Sequence, residues 1–409
     1  MRVLVLSQYF WPESFRINEL VQSLVSKGID VEVVTGKPNY PGGTVFDGYS
    51  ASGCAQEEYR GICIHRVPLI PRGKSAVRLA LNYISFVVSG LFFSPWILRG
   101  KQFDVIFVYA PSPILQAIPA IYLGRIKKCP TLLWVQDLWP ESLSATGHVT
   151  HPLLIKTVER VVRWIYQKVD LLLVQSRAFI PKVRALAGSM PIIYYPNSFM
   201  DEGSGEAPQP IACLGLECDF PVVFAGNIGS AQAVEVVLEA ATLLRNVEGI
   251  RFVMVGDGSQ RDWLMQQAAD RGLNNIVFPG RYPVEAMPAL MAKAGALLVT
   301  LADTEIFRLT IPSKIQAYLA AGRPIIACLN GVGADIVAEA GAGVAVPAED
   351  ALALAEAVKA LHKMPESELH AMGARGRSYY EQHFSHDKLV NELIGHFEQA
   401  VRSHKGFTR

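Results

Sequence analysis

Short apolar runs rich in valine, isoleucine and leucine recur at residues 2–7, 29–35, 62–67, 104–109, 131–136, 170–176 and 192–195, with stretches of helical periodicity between them. Such alternation predicts parallel strands covered by helices, an α/β fold of the doubly wound kind. The rhythm breaks over residues 201–219, which are rich in glycine, proline and acids and read as a linker. It resumes at 221–225, 250–255, 275–278, 296–301, 324–328 and 343–346, with helical patterns such as 233–244 and 351–362 behind the strands. Two Rossmann-like domains are therefore expected, 1–200 and 220–382, facing one another across a cleft where ligands bind outside the carboxyl ends of the strands. No short repeat is evident, so a solenoid is not expected.

One stretch departs from this pattern. Residues 79–98 form a run of 20 without a formal charge, long enough on paper to cross a bilayer. Asn82, Ser85, Ser89, Ser94 and Pro95 interrupt it, and it lies between two expected strands of one sheet, which a spanning helix would place on opposite sides of a membrane. Two readings remain: a buried crossover helix, or a helix whose apolar face dips into a bilayer surface. Arg72, Lys74 and Arg78 before the run, Arg99 and Lys101 after it, and Trp96 near its end favour the second.

Charge sharpens the picture. With 38 basic and 37 acidic residues in 409 the chain is not a generally basic nucleic-acid binder, and its length excludes a single small module. Residues 1–200, however, carry 21 basic and 12 acidic side chains and the remainder 17 and 25, so the first half is expected to meet something anionic. Six cysteines at scattered spacings, with no C-x-x-C, offer neither a zinc site nor a disulfide framework, which points to a reducing cytosol. The apolar amino terminus is too short for a signal-peptide core and reads as a strand.

Missing motifs narrow the chemistry. No G-x-G-x-x-G follows the first strand and no G-x-x-x-x-G-K-[ST] occurs, which disfavours a nicotinamide dehydrogenase and a P-loop kinase. No two aspartates stand two residues apart, so a D-x-D metal clamp is absent and a bound diphosphate would be neutralised by protein groups. The segment from Phe224 to Gln232, with Gly226, Asn227 and Gly229, ends a strand and opens a helix, where small residues let backbone N–H groups approach phosphate oxygens. A tight strand-to-helix turn with no ligand is the alternative. Pro312-Ser313-Lys314 opens another helix, and a lysine in a first turn opposes the macrodipole unless an anion is present, which makes Lys314 a candidate phosphate ligand rather than a solvated surface lysine. Gly256-Asp257-Gly258 is assigned to turn geometry.

In the first half, Asp137-Leu138-Trp139-Pro140-Glu141-Ser142 sets carboxylates at the carboxyl end of a predicted central strand. Asp137 is the candidate to orient or deprotonate an acceptor hydroxyl; Glu141 serves the acceptor side or caps the next helix. The same Trp-Pro-Glu-Ser string recurs at Trp11 to Ser14, with Glu13 and then Arg16 on the same side.

Taken in order and with Thr35-Gly36-Lys37-Pro38-Asn39-Tyr40-Pro41 and Tyr195-Pro196-Asn197-Ser198, these motifs resemble a GT-B glycosyltransferase of the large retaining family numbered four, over essentially the whole chain. The likeness is greatest to bacterial sugar transferases of O-antigen and capsule assembly, including the N-acetylfucosamine transferase type. The resemblance implies a nucleotide-sugar donor on the second domain, an acceptor on the first, no essential metal or cofactor, and a last helix, within 383–409, returning to the first domain. Carried over, Gly226, Asn227, Gly229, Gln232, Ser313 and Lys314 face the donor, Arg281 borders its base, and Asp137 lies near the acceptor hydroxyl, with Glu13, Arg16, Asn39, Tyr40 and Glu141 on the acceptor side. Two glutamates usual in the family fall here on Leu309 and Ala317, which leaves Glu305, or Asp303, as the candidate replacement.

The expected function is transfer of a sugar, a UDP-linked deoxy or N-acetylated hexosamine, to a polyprenyl-diphosphate-linked acceptor at the inner face of the cell membrane, in surface polysaccharide biosynthesis. Two alternatives stand beside it. A sugar-nucleotide 2-epimerase uses the same two-domain plan, and the missing glutamates suit a non-catalytic partner of a polysaccharide assembly complex.

Overall fold

The computed structural model describes residues 1–145, 151–201 and 215–407, so most of the expected linker lies outside the described residues. Contacts divide the chain into one unit made of Met1–Pro196 with Val390–Arg409 and another made of Asn197–Leu389.

The first unit is built on eight strands: β1 (Arg2–Leu6), β2 (Asp30–Thr35), β3 (Ala55–Tyr59), β4 (Ile62–Arg66), β5 (Val105–Ala110), β6 (Thr131–Val135), β7 (Leu171–Val174) and β8 (Ile192–Tyr194). Their order is β3-β4-β2-β1-β5-β6-β7-β8, parallel throughout except for β3, which runs antiparallel to β4. Between them lie α1 (Arg16–Ser26), α2 (Ala76–Ile97), α3 (Ala117–Lys127), α4 (Glu141–Ala145), α5 (Pro152–Tyr166) and α6 (Phe179–Ala187). The inner strands are buried at almost every position, as their unbroken apolar sequences require of a sheet covered on both faces. β3 has no apolar run at all: its sequence Ala-Gln-Glu-Glu-Tyr suits a half-exposed sheet edge, where charges discourage further pairing.

The second unit has six parallel strands, β9 (Phe220–Asn227), β10 (Ile250–Asp257), β11 (Ile276–Gly280), β12 (Ala296–Thr300), β13 (Ile325–Cys328) and β14 (Gly343–Val346), in the order β11-β10-β9-β12-β13-β14. Its helices are α7 (Glu235–Leu243), α8 (Arg261–Asp270), α9 (Met287–Ala292), α10 (Glu305–Leu309), α11 (Ser313–Ala321), α12 (Val332–Glu339), α13 (Ala351–His362) and α14 (Glu366–His383). Phe220, Val222 and Phe224 of β9 pack with Phe252 and Met254 of β10 and with Leu354, Val358 and Leu361 of α13. The last helix, α15 (His386–Phe407), passes from this unit into the first at Val390, where Val390, Leu393 and Phe397 are fully buried.

Helix α2 links β4 to β5 within one sheet, yet only 17% of its apolar stretch is buried. The reading as a buried crossover helix does not hold.

Candidate active site

In each sheet the strand order reverses once, and open α/β sheets bind ligands outside the carboxyl ends of the strands at that point. In the second unit β9 is followed along the chain by β10 on one side and has β12 on the other. The turn after β9 is held tightly. Gly226, at φ +137°, leaves room for Lys314, whose Cε would lie 2.8 Å from a Cβ placed there. Register pairing sets Gly256 opposite Gly226 and Asp257 opposite Asn227, and Ile228 N donates to Asp257 O at 2.8 Å. A Cβ on Gly256 would come within 1.9 Å of Gly226 O, so two strand-end turns share this edge only because both are glycine.

Lys314, in the first turn of α11, lies over this turn. Its Nζ donates to Gln232 Oε1 at 2.5 Å and sits 4.5 Å from the Phe224 ring centroid. Four residues on, the buried Tyr318 hydroxyl accepts from Ala225 N at 2.9 Å and ties the helix to the end of β9. No carboxylate neutralises Lys314 among the described residues, and burial alone pushes its ammonium down to about 8. An unneutralised, desolvated cation beside backbone amides is a site for an anion.

The first unit presents the opposite case where β1 meets β5. Asp137, just past β6, carries a carboxyl pushed up to about 6 by burial alone, with no cation opposing it among the described residues. Tyr109 at the end of β5 feels both Asp137 and the desolvated Arg16 at the start of α1. Nearby, Glu13 Oε1 accepts from Asn39 N (2.8 Å) and Tyr40 N (2.7 Å), while its buried Oε2 has no partner. Burial outweighs those hydrogen bonds and raises Glu13 to about 7. Tyr9, Phe15 and Tyr40 form an aromatic cluster with centroids 5.0 to 5.7 Å apart, and the Arg72 guanidinium lies over Tyr40 at 5.2 Å. Fully buried Arg66 pins the two loops, donating to Gly36 O at 2.9 Å and to Trp11 O, and β3 supplies its counter-ion, Glu57. The result is an aromatic cluster with a cation over one ring and two carboxyls that burial keeps protonatable near neutral pH.

Comparison with known proteins decides the family. Residues 14–197 match a family described as glycosyl transferase 4-like domain, and residues 219–364 match one described as glycosyl transferases group 1, so the two matches take in most of the chain. The chain belongs to the group 1 glycosyltransferases. This glycosyltransferase is 27% identical over 344 residues (79% of its length, 82% of the relative's) to WcaI of Escherichia coli K12, named as a colanic acid biosynthesis glycosyl transferase. It is 26% identical over 304 residues (70% and 72%) to WbjE of Pseudomonas aeruginosa, named as a glycosyltransferase. In fold it is similar to sucrose-phosphate synthase of Thermosynechococcus elongatus (TM-score 0.73, 16% identity, 98% and 99% covered) and to HepE of Anabaena, solved with UDP (0.69, 14%, 98% and 100%). The fold is GT-B.

The structure of the glycosyltransferase brings some expected residues together and sends others elsewhere. Gly226, Asn227, Gly229, Gln232 and Lys314 share one turn region, with Ser313 exposed at the start of α11. The helix expected from residue 233 starts only at Glu235, after a single 3₁₀ turn over Ser230–Gln232. Arg281 is exposed and pairs with Asp257 at 3.4 Å, which makes 256–258 part of this site as well as a turn. Glu305 stands exposed in the first turn of α10, three residues after Ala302, whose N–H bonds to Ala231 O. Asp303 is engaged by both sides of the Arg308 guanidinium at 2.6 Å, which holds it down to about 2. Glu141 opens α4 with its carboxylate 3.9 Å from Lys182. Sequence placed neither Tyr9, Tyr109 nor Tyr318 in a site, and read Arg72 only as a cation flanking the 79–98 run and Phe224 only as the start of the turn segment, because only long-range pairing gives them these neighbours.

Glu32, Cys63 and His65 are the one group among the described residues whose ligand atoms cluster, within 4.8 Å. Glu32 is already met by Lys101 and His65 at 2.7 Å each and Arg2 at 2.5 Å. Burial would raise its carboxyl, but the hydrogen bonds from Lys101 and His65 prevail and hold it low. The cluster reads as an ion network around buried Glu32.

Proposed function

We propose that this glycosyltransferase moves a sugar, a deoxy or N-acetylated hexosamine carried by UDP, to a lipid-diphosphate-linked acceptor during assembly of a bacterial surface polysaccharide, with retention at the anomeric carbon and without a metal ion. The observation that carries the reading is Lys314, a desolvated ammonium over the Gly226 turn with no counter-charge among the described residues. The bond from the anomeric carbon to the β-phosphate oxygen breaks, and negative charge gathers on the leaving UDP. Lys314 and the backbone amides of the Gly226–Gly229 turn stabilise that charge, and a preorganised, water-poor setting makes each donor worth more than in water. The new bond forms to an acceptor hydroxyl, whose proton passes to Asp137, a carboxyl poised at about 6. Arg72 and the aromatic cluster receive the acceptor's diphosphate end and its first sugar.

The names of the WcaI relative and the UDP-bound HepE neighbour support the polysaccharide and UDP parts of this reading. The absence of any D-x-D pair in the sequence supports protein groups as the neutralisers of the diphosphate. The deciding experiment screens UDP, GDP and dTDP sugars against lipid acceptors extracted from membranes, with mass analysis of product. Sugar added to a lipid with release of UDP bears the proposal out. A new sugar nucleotide formed without acceptor identifies an epimerase instead, and tight donor binding with no product in any pool identifies a non-catalytic partner.

A further inference from the structure

Helix α2 is built inside out. Its protein side carries Asn82, Phe86, Gly90 and Ser94, all buried, and a Cβ on Gly90 would come within 2.9 Å of Pro119 in α3. Its outward side presents Val77, Leu81, Ile84, Val88, Phe92 and Trp96, with Phe92 75% and Trp96 70% exposed. Tyr122 and Ile126 of the neighbouring α3 are exposed too. A helix on a water-facing surface shows the reverse pattern, polar outward and apolar inward.

Charge selects what covers this face. No acidic residue occurs between Glu58 and Asp104, and exposed Lys74 and Arg78 stand at one end of the helix with exposed Arg99 at the other. A second copy of the chain docked through the same face would bring like charges together, whereas anionic headgroups above acyl chains match both the cations and the apolar strip. We propose that the outward face of α2 lies flat in an anionic phospholipid surface and sets the acceptor site at headgroup height. The link to that site is direct: Asn82 Nδ2 donates to Ile70 O (2.7 Å) and to Asn39 Oδ1 (3.3 Å), and Asn82 Oδ1 accepts from Gln8 Nε2 (2.7 Å). Asn39 also receives Arg72 N, so the loop bearing Tyr40 and the cation over it are fixed to the docked helix. This inference rests on the lipid-linked acceptor proposed above.

The test sediments the full-length protein with vesicles of phosphatidylethanolamine and phosphatidylglycerol. The wild type binds, Val88→Glu/Phe92→Glu weakens partitioning by about tenfold or more, and Lys74→Glu/Arg99→Glu weakens it and flattens its salt dependence. Both variants keep the wild-type melting profile and the turnover of a short, water-soluble acceptor, while the first loses transfer to vesicle-embedded acceptor. The proposal is overturned if the wild type stays in the supernatant, if Val88→Glu/Phe92→Glu binds as well as wild type, or if that variant only dissociates a dimer. Vesicle binding that depends on these residues, with no acceptor ever glycosylated, sinks the transferase reading and leaves the docking surface standing.

Discussion

Lys314 and Asp137 are mirror images: each is a charge-bearing group displaced from its usual range by burial and by nothing else. On the proposed function the counter-charge of Lys314 is the donor diphosphate, so binding would restore the ammonium and take up a proton wherever the free amine is neutral. Affinity for UDP is therefore expected to fall above pH 8, by up to about tenfold per pH unit, and calorimetry in buffers of different ionisation heat reads the proton directly. Lys314→Met should abolish that dependence and weaken UDP binding by about thirty-fold, the ~2 kcal/mol of a charge-assisted hydrogen bond. For Asp137 the expectation is a rate that climbs through pH 6 and levels above it, and Asp137→Asn should lower kcat by about a hundredfold or more. A limb near pH 7 that survives Asp137→Asn would move the role to Glu13. Both carboxyls bind their protons more tightly in the folded chain, so their contribution to stability is full below the unfolded carboxylate range of about 4 and is lost as pH rises through 6 and 7.

Individual elements differ in how far the sequence reveals them. Buried parallel strands were legible because both faces are covered and the runs are unbroken, as in β5 and β6. β3 was not, since an edge strand carrying Gln56, Glu57 and Glu58 has no apolar signal, yet it provides the partner of Arg66. The Gly256 turn was assigned to turn geometry alone because its role comes from register with Gly226, a pairing no local pattern contains. Lys314 stood out because a first-turn lysine is a local conflict; the orphaned carboxylate oxygen of Glu13 was invisible until the 39–40 loop folded over it. The donor turn makes a concrete expectation: Gly226→Ala pairs an unfavourable φ with a contact on Lys314, and should cost about 1–3 kcal/mol by urea unfolding together with a loss of UDP affinity. In the first unit, Asn82→Leu strands the Gln8 amide and removes the bond to Ile70 O, and should cost ~2–3 kcal/mol, read as a lower midpoint with UDP affinity unchanged.

Across the two units, sheets of similar design hold opposite groups, a desolvated lysine in one and buried carboxyls in the other. The charge split between the halves follows: the first, with its cationic excess, bears the Arg72 wall and α2, while the second concentrates its need in one lysine. The chain closes with α15, whose later part completes the first unit through Phe397, 5.4 Å from Phe107 and packed beneath the strands that carry Tyr109 and Asp137. This division allows the units to be perturbed separately. Phe397→Ala removes a fully buried ring and should cost ~3–5 kcal/mol, a large part of the marginal stability of one domain. In scanning calorimetry of the full chain it should lower one transition, while UDP at a hundredfold excess over its dissociation constant raises the other by the equivalent of about 2.7 kcal/mol. A single transition that shifts with both perturbations would show that the units unfold as one, and UDP protection of the transition lowered by Phe397→Ala would move the nucleotide site to the first unit.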